Sequence, residues 1–443
     1  MKLVALLSML VTAAASAQTP RLHFKPEGHS LGDVHPFFHA GECFLYYLKP
    51  GKYESMLVRS RDWLHWTPEA LVHEPVRPDD WFAPYFVLGV FRDEAAQAWR
   101  SYHGHTQGRM ACSVSADLFR WSCAPKEFAV PAADYYERRR DPFVFWIPEM
   151  KSYGCVMTTW AKGRPKETGG AVSLAISTDL QHWNDHGVVL DLVDRGEPEC
   201  PQMFQIGTRW YLLTSIYARH SVGRPEYFTA ARPQGPWAHG GVLDGKDLCA
   251  AQVARDGDEG TFMFGWIPLT PATPEKQEWG GHLALAREVY ALPDGGLATR
   301  LPAKLARTFE ALPWRSFDDA RLAETPRAIP GAWRDFAAAM RIETTGPGGE
   351  VRLSFAPLGE VSLARDRLRI LDGRGLCWSE LALELDGRAP CGVLVFVEDD
   401  RVEVFAGDRW SLCARLPAVK GPYALSLRGA DAAVSRLGCA ALH

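Results

Sequence analysis

Short apolar and aromatic runs, separated by glycine, proline, aspartate and asparagine, recur along most of the chain. Residues 87–91, 98–102 and 110–115 are three such runs within one stretch. Runs of this length, rich in β-branched and aromatic side chains and bounded by turn formers, are typical of successive antiparallel strands. Apolar residues at the helical spacing of 3.6 are nearly absent, so the pattern predicts an all-β protein.

A short motif divides the first two thirds of the chain into repeats. Serine, aspartate two residues later and tryptophan four residues after that occur at 60–66, 115–121 and 177–183, with a degenerate copy at 231–237. A unit of about 55 residues with three or four strands has the size of one propeller blade. With a fifth segment over about 247–301, the repeats predict a five-bladed β-propeller. In the motif, the polar side chains are expected to cap the turn and the tryptophan to pack between blades.

The character of the chain changes after residue 302. Residues 302–330 are rich in proline and alanine and are interpreted as a linker, whereas alternating strands return in 332–443 without the repeat. Such strands are typical of a β-sandwich. A chain of 443 residues is long enough for two cores. The predicted organisation is a catalytic propeller over 21–305 and a C-terminal sandwich over 330–443.

The first 17 residues have the pattern of a secretory signal peptide. Lys2 precedes an apolar stretch over 3–11, and small residues at 15–17 form a cleavage site. The protein is therefore expected to be secreted or periplasmic. No later run reaches the ~18 apolar residues of a membrane-spanning helix, so no membrane contact is expected.

Charge and cysteine usage restrict the possible partners. The formal net charge of −4 provides no basic surface for nucleic acid. The ten cysteines are scattered and form no Cys-x-x-Cys pair, so neither a zinc motif nor a redox motif is present. Two alternatives remain for Cys112 and Cys123, which either bridge a hairpin or stay free thiols.

Acidic residues stand at the predicted starts of the blades. Asp33, Asp141 and Glu199 precede the first strands of blades one, three and four, and Asp80 and Asp247 hold the places in blades two and five. The first strand of every blade lines the central channel, so these acids are expected to meet in one pocket. Any one of them alone is better explained as a solvated or turn-capping residue, but this explanation does not account for three at equivalent blade positions. No dense Asp/Asn/Gly loop favours calcium, and no metal is predicted.

Two carboxylates on either side of a glycosidic bond are the minimal equipment of a glycosidase. The short Asp33 suits the nucleophile, and the longer Glu199 suits the acid/base that protonates the leaving oxygen. Clustered like charges raise the pKa of one member of such a set. Arg140 is expected to keep Asp141 ionised, which suits Asp141 to hydrogen bonding with sugar hydroxyls.

A second set of residues is predicted to bind the sugar. Tryptophans near blade loops either stack on sugar rings or pack in the core, and both roles are equally plausible. Glycines that follow one of these tryptophans allow the backbone to approach a sugar closely, and the histidine after them is expected to donate a hydrogen bond to a sugar hydroxyl. The substrate-binding set is Arg140, Asp80, Trp81, Trp160, Trp266, Trp279 and His282.

In this order and at these spacings, the motifs resemble glycoside hydrolase family 32, the β-fructosidases of the invertase, levanase and inulinase type. The matching residues are His23-Phe24-Lys25-Pro26 before Asp33, Arg140-Asp141-Pro142, Glu199-Cys200, Gly265-Trp266 and Val402-Glu403-Val404-Phe405. The resemblance implies a five-bladed propeller followed by a sandwich. It also implies that Asp33 is the nucleophile, that Asp141 stabilises the transition state and that Glu199 is the acid/base, without a cofactor.

The chain departs from the family beside the nucleophile. Gly32 replaces an asparagine, residues 34–36 replace Pro-Asn-Gly, and Ser30 replaces a tryptophan. The expected activity is retaining exo-hydrolysis of an oligo- or polysaccharide with a terminal furanose, foremost a β-fructofuranoside. Three alternatives stay open: an arabinofuranosidase, a fructosyltransferase and a non-catalytic sugar-binding propeller. The sequence leaves the oligomeric state open.

Overall fold

The computed structural model describes residues 21–51, 54–72, 86–104, 110–122, 126–128, 136–165, 168–193, 195–218, 221–271 and 278–442. The predicted leader, Asp80, Trp81 and Cys123 lie outside these ranges. Contacts divide the chain into two compact units, one formed by Phe24–Ala298 and the other by Thr299 onward together with residues 21–23.

The first unit is a five-bladed β-propeller built from antiparallel sheets, as the repeat predicts. Sheet one contains β1–β4, which are Gly32–His39, Glu42–Lys49, Glu54–Ser60 and Ala70–Leu71. Sheet two contains β5–β8, which are Phe86–Asp93, Ala98–Gly104, Met110–Ser115 and Lys126–Phe128. Sheet three contains β9–β12, which are Tyr136–Ile147, Ser152–Ala161, Gly170–Ser177 and Asn184–Asp191. Sheet four contains β13–β16, which are Glu197–Ile206, Arg209–Ala218, Ser221–Ala230 and Ala238–Val242. Sheet five contains β17–β21, which are Cys249–Asp256, Gly260–Pro268, Gly281–Leu283, Arg287–Ala291 and Leu297–Arg300.

The segment before β1 joins the fifth sheet. Leu31 and Gly281 exchange two backbone hydrogen bonds of 3.1 and 2.7 Å, and the N–H of Leu283 donates to the carbonyl of Phe24 at 2.8 Å. These bonds connect the first blade to the last. They therefore close the ring and bring residues that are about 250 positions apart in the chain into contact.

The repeated Ser-x-Asp turn has the structural role that the sequence predicts. In the second copy, Ser115 Oγ accepts from the backbone N–H of Leu118 at 3.0 Å. Asp117 Oδ1 accepts from the backbone N–H groups of Phe119 and Arg120 at 2.9 and 2.7 Å. These bonds hold Leu118 in the left-handed conformation, with φ 68°. The motif tryptophan, Trp121, packs against Tyr46 of the preceding blade with ring centroids 6.2 Å apart. The motif thus builds the contact between neighbouring blades.

The second unit is dominated by one bent sheet that folds back on itself. Its two longest strands, Phe336–Ala356 and Tyr423–Ala441, pair with each other along most of their length. The strands β22–β32 are Arg315–Phe317, Ala320–Arg321, Arg327–Trp333, Phe336–Ala356, Gly359–Ala364, Arg367–Asp372, Cys377–Ala382, Cys391–Glu398, Arg401–Ala406, Trp410–Arg415 and Tyr423–Ala441. The predicted β-sandwich architecture is confirmed.

The interpretation of 302–330 as a linker is wrong. This stretch contains the helix α1 (Ala303–Glu310) and the strands β22 and β23, and β24 begins at Arg327. Leu305 and Phe309 lie four residues apart on one face of α1 and are buried, and the Phe309 ring lies 4.6 Å from that of Phe396. Within the described ranges, no helix is long and apolar enough to cross a membrane. The nine cysteines that the structure describes are thiols outside any disulfide.

A buried ionic cluster joins the first described residues to this sheet. His23 Nδ1 lies 2.9 Å from Glu398 Oε2, and His23 Nε2 lies 2.9 Å from Glu403 Oε1. All three side chains are fully buried. Burial opposes the charged form of His23, but the hydrogen bonds to both carboxylates outweigh it and raise the pKa of His23. A raised histidine pKa adds stability that is complete below the unfolded value and is lost as pH rises through the folded value.

Replacing His23 with glutamine is expected to destabilise the folded protein by about 3–5 kcal/mol at pH 6, because Glu398 and Glu403 both lose the buried cation between them, although Arg401 still pairs with Glu398 at 3.2 Å. The loss should shrink at higher pH, where wild-type His23 has lost its charge. Denaturant unfolding at pH 6 and pH 9 measures both effects, with the exposed His186→Gln as the matched control. An equal loss at the two pH values would show that His23 is not charged in the folded state.

Candidate active site

The innermost strands of four blades, β1, β9, β13 and β17, each contain a bulge. The register shifts after Gly32 in β1, after Arg140 in β9, after Glu199 in β13 and after Cys249 in β17. Bulges re-aim side chains at sheet edges. The left-handed residue of each bulge is Asp33, Asp141, Cys200 or Ala250, with φ between 38° and 53°. Asp33 and Asp141 thus occupy corresponding positions, while Glu199 stands one residue earlier than they do.

Arg140 links the acids of blades three and four. Its Nη1 donates to Asp141 Oδ2 at 3.1 Å, and its Nη2 donates to Glu199 Oε1 at 2.6 Å and to Glu197. The guanidinium carbon lies 5.7 Å from the centre of the Trp160 ring. One cation therefore holds three carboxylates. In the part of the chain that the structure describes, no group of three or more His, Cys, Asp or Glu is arranged to hold a metal ion.

Asp141 is buried beneath this arginine. Its Oδ2 accepts from the backbone N–H of Cys200 at 3.0 Å and from Thr158 Oγ1 at 3.4 Å. Its Oδ1 is buried and has no hydrogen-bond partner among the described residues. Burial raises the pKa of Asp141 and outweighs the opposing effect of Arg140. The expectation that Arg140 keeps Asp141 ionised stays a prediction, since Arg140 lowers the pKa of Asp141 whereas burial and the charge of Glu199 raise it.

Asp33 faces the same cluster from β1. Burial, together with the negative charges of Glu199 and Asp141, raises the pKa of Asp33 to about 7. The indole N–H of Trp279 donates to Asp33 Oδ1 at 3.2 Å. The structure thus brings Asp33, Asp141 and Glu199 together with Arg140, as the blade positions predict.

Two further residues belong to the cluster, although neither was among the predicted site residues. Glu197 shares Arg140 with Glu199, and a signal for it was present, because residues two apart on a strand project from the same face. Tyr217 lies opposite Glu197 in the sheet and interacts electrostatically with Glu199 and Asp33. The Tyr217 hydroxyl hydrogen-bonds the thiol of Cys249. No pattern in the sequence indicates Tyr217, since its position depends on pairing between β13 and β14.

A buried polar bridge lies just past the cluster along β1. His35 Nδ1–H donates to Gln252 Oε1 at 2.7 Å, and His35 Nε2 accepts from the backbone N–H of Val90 at 3.0 Å. Burial lowers the pKa of His35 to about 4, so its ring is neutral at pH 7. Gln202 Nε2 donates to Val253 O at 3.3 Å. The bridge ties the innermost strands of four blades together and therefore supports the cluster.

The predicted sugar-stacking tryptophans have different surroundings. Trp266 has no exposed surface and lies on β18 between Cys249 and Leu283. Its assignment to substrate binding is wrong for this conformation, because its ring offers no exposed surface on which a sugar could stack. Trp160 is 6% exposed and its ring faces Arg140. Trp279 is partly buried beside Asp33.

Two of the remaining predicted residues lie in the fifth blade or just before its first strand, and two lie outside the described residues. His282 is partly buried in β19. Asp247 is fully buried, and Lys246 Nζ donates to its Oδ1 at 2.7 Å. Asp80 and Trp81 belong to the part of the chain that is not described. Asp247 is therefore a paired structural acid, in contrast to Asp33.

The fold and the cluster define a class of protein: a five-bladed propeller that presents several carboxylates around one arginine and is followed by a β-sandwich. The chain belongs to glycoside hydrolase family 32. The family's N-terminal domain, described as "Glycosyl hydrolases family 32 N-terminal domain", matches residues 23–298.

Individual relatives agree with this family. Sucrose-6-phosphate hydrolase of Escherichia coli is 29% identical over 154 residues, a match that covers 30% of this chain and 31% of that enzyme. A β-fructofuranosidase of Bombyx mori has a TM-score of 0.71 at 17% identity, over 96% of this chain and 94% of its own. Fructan 1-exohydrolase IIa of Cichorium intybus has a TM-score of 0.74 at 13% identity, over 96% and 97%. These two structures share the fold of this chain.

Proposed function

We propose that this protein is an exported, retaining glycoside hydrolase that releases a terminal β-fructofuranose from an oligo- or polysaccharide. The observation that carries the proposal is the single cluster of Asp33, Asp141 and Glu199 around Arg140. Membership of family 32 supports it. So do the names of the relatives, which include a fructofuranosidase and a fructan exohydrolase. The leader pattern in residues 1–17 supports export.

The proposed reaction uses two displacements. An oxygen of Asp33 forms a bond to the anomeric carbon while the glycosidic bond breaks, and Glu199 gives its proton to the leaving oxygen. Glu199 then removes a proton from water, which attacks the anomeric carbon and releases Asp33. Because both displacements invert, the product retains its configuration. The mechanism requires no cofactor.

Asp141 is proposed to hold the sugar. Its Oδ2 is occupied by Arg140, Thr158 and the backbone of Cys200, whereas its buried Oδ1 has no partner among the described residues. A buried acceptor without a partner is costly. A sugar hydroxyl that donates to Oδ1 would remove this cost and orient the ring. This position suits a group whose hydrogen bond strengthens as the transition state forms.

The test is a substrate screen with chromatographic detection of the released sugar. Sucrose, inulin and levan should yield fructose, and aryl arabinofuranosides should yield no arabinose. The reverse result would identify an arabinofuranosidase. Oligosaccharide growth at the expense of free fructose would identify a fructosyltransferase. Binding on a glycan array without turnover of any substrate would favour the sugar-binding alternative.

The stereochemistry is tested separately. With methanol as acceptor, a retaining enzyme should form the methyl β-fructofuranoside, which NMR distinguishes from its α-anomer. Formation of the α-anomer would contradict the double displacement. A retaining site also requires the carboxyls of Asp33 and Glu199 to lie about 5–5.5 Å apart, which a crystal structure would measure.

The pH profile is expected to have its acidic limb near pH 7. Asp33 must be ionised to attack, and burial with two neighbouring acids raises its pKa to about 7. Below that pH, kcat/KM should fall about tenfold per unit, since one proton inactivates the nucleophile. The apparent pKa belongs to the coupled acids rather than to Asp33 alone. Initial rates between pH 4 and 9 measure the profile, with preincubation controls for unfolding, and a flat profile from pH 5 to 7 would contradict the prediction.

A further inference from the structure

Two of the residues that depart from the family pattern beside Asp33, Ser30 and Gly32, contact one segment of the fifth blade. Gly281 pairs with Leu31 through two backbone hydrogen bonds. Gly280 has φ +92°, and a Cβ on it would lie 2.6 Å from Pro50 Cγ and 2.7 Å from Ser30 Oγ. The 279–281 segment therefore packs tightly along residues 30–32. Its contact with Ser30 and Gly32 provides a physical reason for both departures.

A side chain at position 32 would occupy space that the Trp279 ring fills. A Cβ on Gly32 would lie 2.8 Å from Cζ2 and 3.0 Å from Cε2 of the Trp279 ring. Carbon atoms essentially never approach so closely, and the ring is rigid, so even alanine at position 32 would displace the indole. Gly32 is not in the left-handed region, which means that the ring, and not the backbone conformation, requires glycine here.

The displaced group would be the hydrogen-bond donor to the nucleophile. Trp279 Nε1 lies 3.2 Å from Asp33 Oδ1. We propose that Trp279 is a positioning residue for Asp33, and that glycine at position 32 is what admits the indole. The proposal rests on the proposed function for its kinetic part only. The indole fixes Oδ1 and leaves Oδ2 directed to the anomeric carbon.

Trp279 differs from the charged groups that face Asp33 because it is a neutral group that donates a hydrogen bond to its carboxylate. The remaining groups are the arginine and acids of β9 and β13, two thiols and a tyrosine: Arg140, Asp141, Glu199, Cys200, Tyr217 and Cys249. A hydrogen bond to a carboxylate favours its charged form. The bond from Trp279 accordingly lowers the pKa of Asp33 against the effect of burial.

The hydrogen bond is tested first without turnover. Protein labelled with ¹⁵N-tryptophan shows one indole resonance per tryptophan, and the resonance missing in Trp279→Phe is that of Trp279. In the wild type, this resonance should shift with pH with a midpoint near the acidic limb of the activity profile. In Asp33→Asn it should not shift between pH 5 and 9. A resonance that is constant in the wild type, or that still titrates in Asp33→Asn, overturns the proposal.

The kinetic part is tested by a double-mutant cycle. Trp279→Phe should lower kcat/KM by roughly 10- to 100-fold, the worth of a hydrogen bond to a charged group, and should move the acidic limb to higher pH. Gly32→Ala should cause a comparable loss in the wild type but only a small one in Trp279→Ala, where the ring is gone. Additive losses overturn the steric link.

The control variant is Trp99→Phe. Trp99 is a partly buried tryptophan of blade two that packs on Arg92. This variant should change neither the acidic limb nor the loss caused by Gly32→Ala. If the wild type hydrolyses no furanoside, the proposed function fails, while the indole titration still decides whether Trp279 binds Asp33.

Discussion

Replacing Asp33 with asparagine is expected to reduce kcat/KM on sucrose or inulin by a factor on the order of 10⁴ or more, the size of effect seen when a nucleophile is removed. An amide of the same shape cannot attack the anomeric carbon. The amide oxygen of the introduced asparagine still accepts from the Trp279 indole, so the surrounding geometry should persist. Steady-state kinetics at pH 7.5 measures the loss.

The controls separate lost chemistry from lost structure. Asp33→Asn removes a carboxyl whose pKa is raised to about 7. Above that pH the wild type keeps an unfavourable buried charge that the variant lacks, so the variant should melt at a higher temperature at pH 8 and at a similar one at pH 4. Asp117→Asn, at a turn between blades, should retain activity. Undiminished hydrolysis by Asp33→Asn would exclude Asp33 as the nucleophile.

Replacing Glu199 with glutamine is expected to reduce hydrolysis of sucrose by about 10²–10⁴-fold, the usual contribution of general acid–base catalysis. A fructoside with a good leaving group, such as a nitrophenyl group, needs no proton from the enzyme. For that substrate, formation of the covalent intermediate should be nearly normal and should appear as a burst of nitrophenol. Asp33→Asn should release no burst of nitrophenol from the nitrophenyl fructoside, because it cannot form the covalent intermediate.

The structure supplies a matched control for this prediction. Glu197 lies two residues earlier on β13 and accepts from the same Arg140 Nη2 as Glu199 does. Glu197→Gln should lower activity equally for good and poor leaving groups, because Glu197 is expected only to hold the arginine. If Glu197→Gln shows the leaving-group dependence and Glu199→Gln does not, then Glu197 is the acid/base.

Several contacts of the site depend on closure of the propeller ring and on pairing between strands. The bond from Trp279 to Asp33 joins residues 246 positions apart, and it exists because Leu31 pairs with Gly281 when the propeller closes. The approach of Tyr217 to the acids likewise depends on pairing between β13 and β14. A sequence lists such residues without showing that they meet.

The sequence by itself determined the repeated blade, because the Ser-x-Asp turn and its tryptophan act through local hydrogen bonds and a fixed period. It also determined the starts of the blades at which Asp33, Asp141 and Glu199 stand. Only the tertiary structure decided how Arg140 is shared, that Trp266 is covered, and that 302–330 folds as a helix and strands. Burial and shared partners depend on segments distant in the chain, so no local pattern records them.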